Sequence, residues 1–105
     1  MGRSSQAKGR KGEIELARIL TSYGYDVRPG EPVSYGCEPD LVGLPGVHCE
    51  VKRREQVDLS AALTQATRDA EKFRDGVPVV FTRKNRQGWI VCMKLADWMK
   101  FYKGG

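Results

Sequence analysis

Asp40, Glu50 and Lys52 are the residues of this chain whose types and spacing could do chemistry. They lie in the stretch Glu38–Lys52, which reads as two short strands joined at Pro45-Gly46. Successive strand residues point to opposite faces. Val47, Cys49 and Val51 therefore share an apolar face of the second strand, and His48, Glu50 and Lys52 share an ionisable one.

Register decides whether Asp40 joins them. Opposed residues of an antiparallel pair lie on one face and have a constant index sum. A two-residue turn at Pro45-Gly46 pairs Leu44 with Val47 and mixes apolar with charged groups on both faces. A three-residue loop, Leu44 to Gly46, sets Asp40 against Glu50 and Leu41 against Cys49 and sorts the faces cleanly. Pro-Gly also suits a type II turn, whose twist fits a two-residue hairpin poorly. An odd loop or a bulge is therefore predicted, with Asp40, Glu50 and Lys52 converging.

Two close carboxylates repel unless a positive charge lies between them. Hard oxygen ligands suit Mg²⁺, which keeps several waters and takes one or two carboxylates plus phosphate oxygens. A lysine beside the ion could orient or deprotonate a water, which completes a kit for metal-assisted phosphodiester hydrolysis. The alternative is an exposed strand face with an incidental Glu–Lys pair.

The elements that must position these groups follow in order. Met1 to Gly12 carries Arg3, Lys8, Arg10 and Lys11 among Gly and Ser. It reads as a flexible basic arm that contacts phosphate, or as a solvated terminus. A first helix is expected from about Lys8 or Gly12 to Tyr23, ended by Gly24. Its inward stripe is Leu16, Ala17, Leu20 and Gly24, and Glu13 continues that stripe while Glu15 points away. A carboxylate on a buried helix edge is costly unless paired or metal-linked, so Glu13 is a candidate fourth member of the cluster. A first-turn glutamate favoured by the helix dipole is the other reading.

Tyr25 to Arg28 is a strand candidate, followed by a long loop through Glu38 that holds Ser34 and Tyr35. After Lys52, Arg53 and Arg54 are suited to phosphate by the planar guanidinium fork, or form an ordinary charged strand exit. A second helix is predicted over Leu59 to Asp75, capped by Asp58 or Ser60, with Leu59, Leu63, Ala66, Ala70 and Phe73 as its apolar face. Val77 to Arg83 and Gly88 to Met93 read as strands buried on both faces. Leu95, Trp98, Met99 and Tyr102 make a short amphipathic helix that packs on its own sheet or forms a subunit interface. The order α-β-β-β-α-β-β-α predicts a single α/β domain over residues 1–105, a central mixed β-sheet flanked by helices.

Eighteen Lys and Arg against thirteen Asp and Glu give a net charge of +5, which favours a polyanionic partner. Three scattered cysteines and one histidine argue against a zinc site or a disulfide framework and fit a reducing compartment. Cys49 and Cys92 are expected to act as small core hydrophobes. No apolar run approaches the ~20 residues of a membrane span, and no signal-peptide pattern opens the chain. A soluble cytoplasmic protein is the expectation; small size and a basic arm suit a phage or prophage gene.

Together these residues resemble the PD-(D/E)xK nuclease superfamily, and more narrowly the archaeal-type Holliday-junction resolvases. The resemblance rests on Lys8-Gly9, Glu13, Gly24-Tyr25, Pro39-Asp40, Glu50-Val51-Lys52 and Gln65-Ala66. It implies a restriction-endonuclease-like fold, with Glu13, Asp40, Glu50 and the Val51 carbonyl at a Mg²⁺ site, where Mn²⁺ can substitute. Lys52 would position the attacking water, and Ser34 and Gln65 would lie along the DNA path. One site in so small a domain, against two strands to cut in a four-way junction, implies a homodimer. DNA would be recognised by shape and backbone charge. A nicking or restriction-type nuclease on duplex DNA, and a non-catalytic basic nucleic-acid-binding module, are the competing readings.

Overall fold

The computed structural model describes the backbone of residues 2–34 and 36–104 and the side chains of these residues from position 10 onward. Its elements are α1 (Gly2–Ser22), β1 (Arg28–Pro29), β2 (Pro32–Val33), β3 (Gly36–Cys37), β4 (Leu41–Val42), β5 (Val47–Arg53), α2 (Leu59–Phe73), β6 (Val77–Arg83), β7 (Ile90–Cys92) and α3 (Leu95–Tyr102). A mixed five-stranded sheet runs β1-β4-β5-β6-β7, and β2 and β3 form a separate hairpin inside the long loop. Only β5 and β6 run parallel, and α2 is the crossover between them.

β5 owes its central place to its alternation. Its odd positions face α1, where Leu16 and Ala17 pack with Leu41, Cys49, Val79 and Phe81. The other face meets α2, where Ala62 and Ala66 pack on Val80. Both faces of β6 are covered, so Val79, Val80, Phe81 and Thr82 are all buried, as the continuous apolar run predicts. Pro78 is tolerated in this central strand because the ladder to β7 covers only Val80 to Thr82. Cys49 is in the core, where burial pushes its thiol up to about 12.

The β4–β5 hairpin takes the odd register. Leu41 pairs with Cys49, while the turn closes by the Val47 N–H donating to the Leu44 carbonyl at 3.4 Å. Val42 and Gly43 on one strand therefore face His48 alone on the other, and Gly43 absorbs the extra residue at φ 114°. A Cβ there would also lie 2.1 Å from the Asp26 carbonyl oxygen, so only glycine fits.

Four expectations are corrected. The helix starts at Gly2, earlier than the start expected at about Lys8 or Gly12; internal Gly9 and Gly12 cost only about 1 kcal/mol each relative to alanine. The strand expected at Tyr25 to Arg28 is Arg28–Pro29, with Tyr25 exposed. α2 buries Ala66 and Ala70 as expected but Ala62 in place of Leu59, which is exposed, because small side chains let the helix lie close to the sheet. β7 is an edge strand with Ile90 and Val91 exposed, not a doubly covered one. α2 ends at Phe73, with Arg74 in the left-handed region at φ 52°; its N-cap is Asp58, which accepts the Ala61 N–H at 3.0 Å. No residue of α3 is fully buried: Met99 of its apolar stripe is half-buried, while Leu95, Trp98 and Tyr102 are exposed. Among the described residues no helix is long and apolar enough to cross a membrane.

Candidate active site

β5 carries the site. It pairs with β6 from Val47 to Arg53 but meets β4 only at Leu41 and Cys49. The β4 side of β5 is therefore open beyond Glu50, and Asp40 occupies that place. Its Oδ2 accepts the Val51 N–H at 2.8 Å. Continuing the ladder from Leu41↔Cys49 sets Asp40 opposite Glu50 on the α2 face. In extended backbone the N–H and C=O of one residue face the same neighbour. The Val51 carbonyl is thus on the Asp40 side, the side it must face to serve as a backbone ligand.

The loop before Asp40 is braced at its base. Arg28 donates to both carboxylate oxygens of Glu38, at 2.8 and 3.0 Å. The Gly30 N–H donates to the Asp40 carbonyl at 2.9 Å. Burial of Leu41 next in sequence, at 3% exposure, fixes the direction of the chain through Asp40.

Glu50 is 5% exposed, and Lys52 Nζ lies 3.4 Å from its Oε2. The same ammonium donates to Gln65 Oε1 at 3.4 Å, so α2 helps to aim it. Glu13 approaches from α1. Close packing at Gly12, where a Cβ would lie 2.6 Å from Arg53 Cβ, brings this end of α1 down onto β5. Its carboxylate is within electrostatic reach of both Asp40 and Glu50.

All three carboxyls hold their protons more tightly than free ones. Glu13 is raised to about 7, by burial first and then by the Asp40 charge, against the lowering effect of Arg10. Asp40 is raised by burial despite the Val51 N–H and Lys52. Glu50 is raised by burial and by Asp40, with Lys52 opposing. Burial is the first cause in each case, and a bound cation would lower all three.

A second group lies on the same face. One ligand atom each of His48, Glu50 and Asp69 fall within 4.8 Å of one another. The Nδ1 of His48 lies 2.9 Å from Asp75 Oδ2. The expected set of Glu13, Asp40 and Glu50 is looser than this one. Asp69 and Asp75 were not singled out in the sequence. Asp69 follows Gln65 by four residues on α2, a spacing that could have flagged it once Gln65 was placed over Lys52.

The expected DNA-contacting residues separate into groups. Lys11 and Arg54 are exposed, and Arg54 lines a cleft of about 140 Å³ with Lys52, Asp58 and Gln65. Ser34 is exposed in the turn between β2 and β3. Arg10 instead donates to the Gly30 carbonyl at 2.8 Å and to Glu31 at 2.7 Å, bracing the loop. Arg53 lies on the α1 face and donates to Asn85 Oδ1 at 2.9 Å and to the Arg83 carbonyl at 3.4 Å. The side chains of Arg3 and Lys8 lie outside the described residues. Glu15, expected to point away, accepts the Trp89 indole N–H at 2.8 Å and pairs with Arg83 at 3.2 Å, which ties α1 to the β6–β7 end of the sheet.

No family model, no curated protein and no solved structure matches this chain.

Proposed function

We propose that this protein is a divalent-metal-dependent DNA endonuclease of restriction-endonuclease-like fold that hydrolyses phosphodiester bonds, with the four-way junction as its substrate. The reading is supported chiefly by one observation. Asp40 and Glu50 share a face of the hairpin at the open edge of β5, with Lys52 Nζ 3.4 Å from Glu50.

The donor set fits Mg²⁺, or Mn²⁺ in its place. Glu13, Asp40, Glu50 and the Val51 carbonyl would offer it oxygen donors, and all three carboxyls are raised above their ordinary values, chiefly by burial, which a bound cation would oppose. When bound, the ion supplies Lewis-acid activation of the phosphoryl oxygen and of a water. The chain does the rest. Lys52 holds a positive charge where the phosphorane develops negative charge, and Gln65 limits the positions it can take. Burial of Glu50 keeps bulk water from weakening that pairing. Lys11 and Arg54 lie in reach of the flanking backbone, and the net charge of +5 promotes approach to DNA.

A homodimer completes the reading, because one domain offers one such centre. Its surface would be α3, where Leu95, Trp98, Phe101 and Tyr102 are all exposed; the edge strand β7 also exposes Ile90 and Val91.

The test is cleavage of a labelled four-way junction against a linear duplex of equal length, in Mg²⁺ and in chelator. Metal-dependent cutting of the junction supports the reading. Binding without cutting in either Mg²⁺ or Mn²⁺ overturns it.

A further inference from the structure

His48 is the sole imidazole of the chain and is 1% exposed. It stacks on Phe73 with ring centroids 6.0 Å apart, which fixes the plane of the ring. Its Nδ1 sits 3.0 and 2.9 Å from the two carboxylate oxygens of Asp75. A carboxylate can only accept, so Nδ1 carries the hydrogen, and in the neutral ring Nε2 presents a lone pair. That nitrogen is buried and has no hydrogen-bond partner among the described residues. Its separation from Glu50 Oε1 is 4.0 Å, too long for a hydrogen bond. An unsatisfied buried polar atom costs about 1–3 kcal/mol, so its retention beside two carboxylates needs a reason.

We propose that His48, Glu50 and Asp69 form a second divalent-cation site, and that Asp75 is the outer carboxylate orienting the imidazole. The three ligand atoms lie within 4.8 Å of one another. Ligands at ~2.0–2.2 Å on either side of an ion stand about 4 Å apart, so small side-chain shifts close the site. A carboxylate taking the far N–H of a metal-binding histidine is the usual means of fixing its tautomer and raising its basicity. One imidazole with two carboxylates favours first-row transition ions such as Mn²⁺, Co²⁺ or Zn²⁺ over Mg²⁺. Three protein ligands leave positions for water. Glu50 belongs to both this site and the oxygen-only centre at Asp40. Occupancy of one site therefore alters the other. The proposal rests on the packing of β5 against α2 and not on the nuclease reading, and its test contains no DNA.

The test is titration of the metal-free chain with Co²⁺ at pH 7.5, followed by visible absorption and by imidazole ¹⁵N NMR. One histidine-dependent Co²⁺ site is expected, with the Nε2 resonance shifted or broadened and Nδ1 remaining protonated. Excess Mg²⁺ should not displace the ion. His48→Ala and Asp69→Asn should each weaken binding ~10–100-fold, and Asp75→Asn about 10-fold. Asp69→Asn keeps the test decisive if His48→Ala fails to fold, and Asp40→Asn should leave the imidazole signal in place. Co²⁺ affinity unchanged in folded His48→Ala or Asp69→Asn overturns the proposal. So does a doubly protonated imidazole that clamps Asp75 to Glu50 and takes no ion.

Discussion

Asp40 accepts the backbone N–H of Val51 at 2.8 Å across the open edge of the hairpin. This bond replaces the ladder partner that the short β4 cannot supply, and it fixes a carboxylate opposite Glu50. The same bond lets the asparagine variant keep the fold, since its amide oxygen can accept from Val51. Asp40→Asn should therefore change the metal-free unfolding free energy by no more than ~1 kcal/mol in denaturant melts. Its cleavage rate should fall roughly 100-fold or more, equal to ~2.7 kcal/mol of transition-state stabilisation. Equal activity would remove Asp40 from the centre.

Stability should depend on pH through Glu13. Its folded pKa is raised from 4.5 to about 7, so the folded state binds more protons than the unfolded state between these values. Its stabilising contribution is full below 4.5 and is lost as pH rises through about 7. Raised Asp40 and Glu50 act in the same direction. In chelator, Tm should decline across the interval from about 5 to 8, and Glu13→Gln should flatten the decline. Added Mg²⁺ should raise Tm most at the alkaline end. A Glu13→Gln profile parallel to the wild type would place Glu13 outside the cluster.

Gln65 and Lys52 should separate by role. Lys52→Met removes the positive charge beside Glu50 and should lower kcat by roughly 100-fold with little change in KM. Gln65→Leu leaves the charge but frees its position, and should cost about 10-fold in kcat. Single-turnover cleavage over a range of DNA concentrations distinguishes the two. A change confined to KM in either variant would assign it to DNA binding.

Trp98 tests the assembly. It is half exposed and stacks with Tyr102 at a centroid distance of 4.9 Å, on a helix with no fully buried residue. Trp98→Asp should convert a dimer to a folded monomer in sedimentation velocity. A wild-type chain that sediments as a monomer at the highest concentrations tested would contradict the dimer.

The sequence already contained the hairpin register, because only one register separates the apolar residues Leu41 and Cys49 from Asp40 and Glu50. It also marked Glu13 as costly, and the Asp58 cap of α2 followed from residue type. What it hid depends on tertiary geometry. Ala66 and Ala70 of α2 were legible as core, yet the helix also buries Ala62 and exposes Leu59, because closeness to the sheet outweighs side-chain size. Asp75 reaches His48 only after Arg74 takes a left-handed conformation at φ 52°, where glycine would have been the readable signal. Asp69 meets His48 and Glu50 only through the parallel pairing of β5 with β6 and the crossover helix above them. The exposure of α3 was equally illegible, since an amphipathic stripe has the same spacing whether it meets its own sheet or another chain.

The central claim is that Asp40, Glu50 and Lys52 form a metal-dependent centre for cutting branched DNA. Its most direct measurement is the initial rate of four-way junction cleavage in Mg²⁺, for wild type and Asp40→Asn at equal junction occupancy. The account predicts metal-dependent cutting by the wild type and bound but uncut junction with the variant. Occupied junction left intact by the wild type in both Mg²⁺ and Mn²⁺, or cutting at the same rate by both proteins, would contradict it.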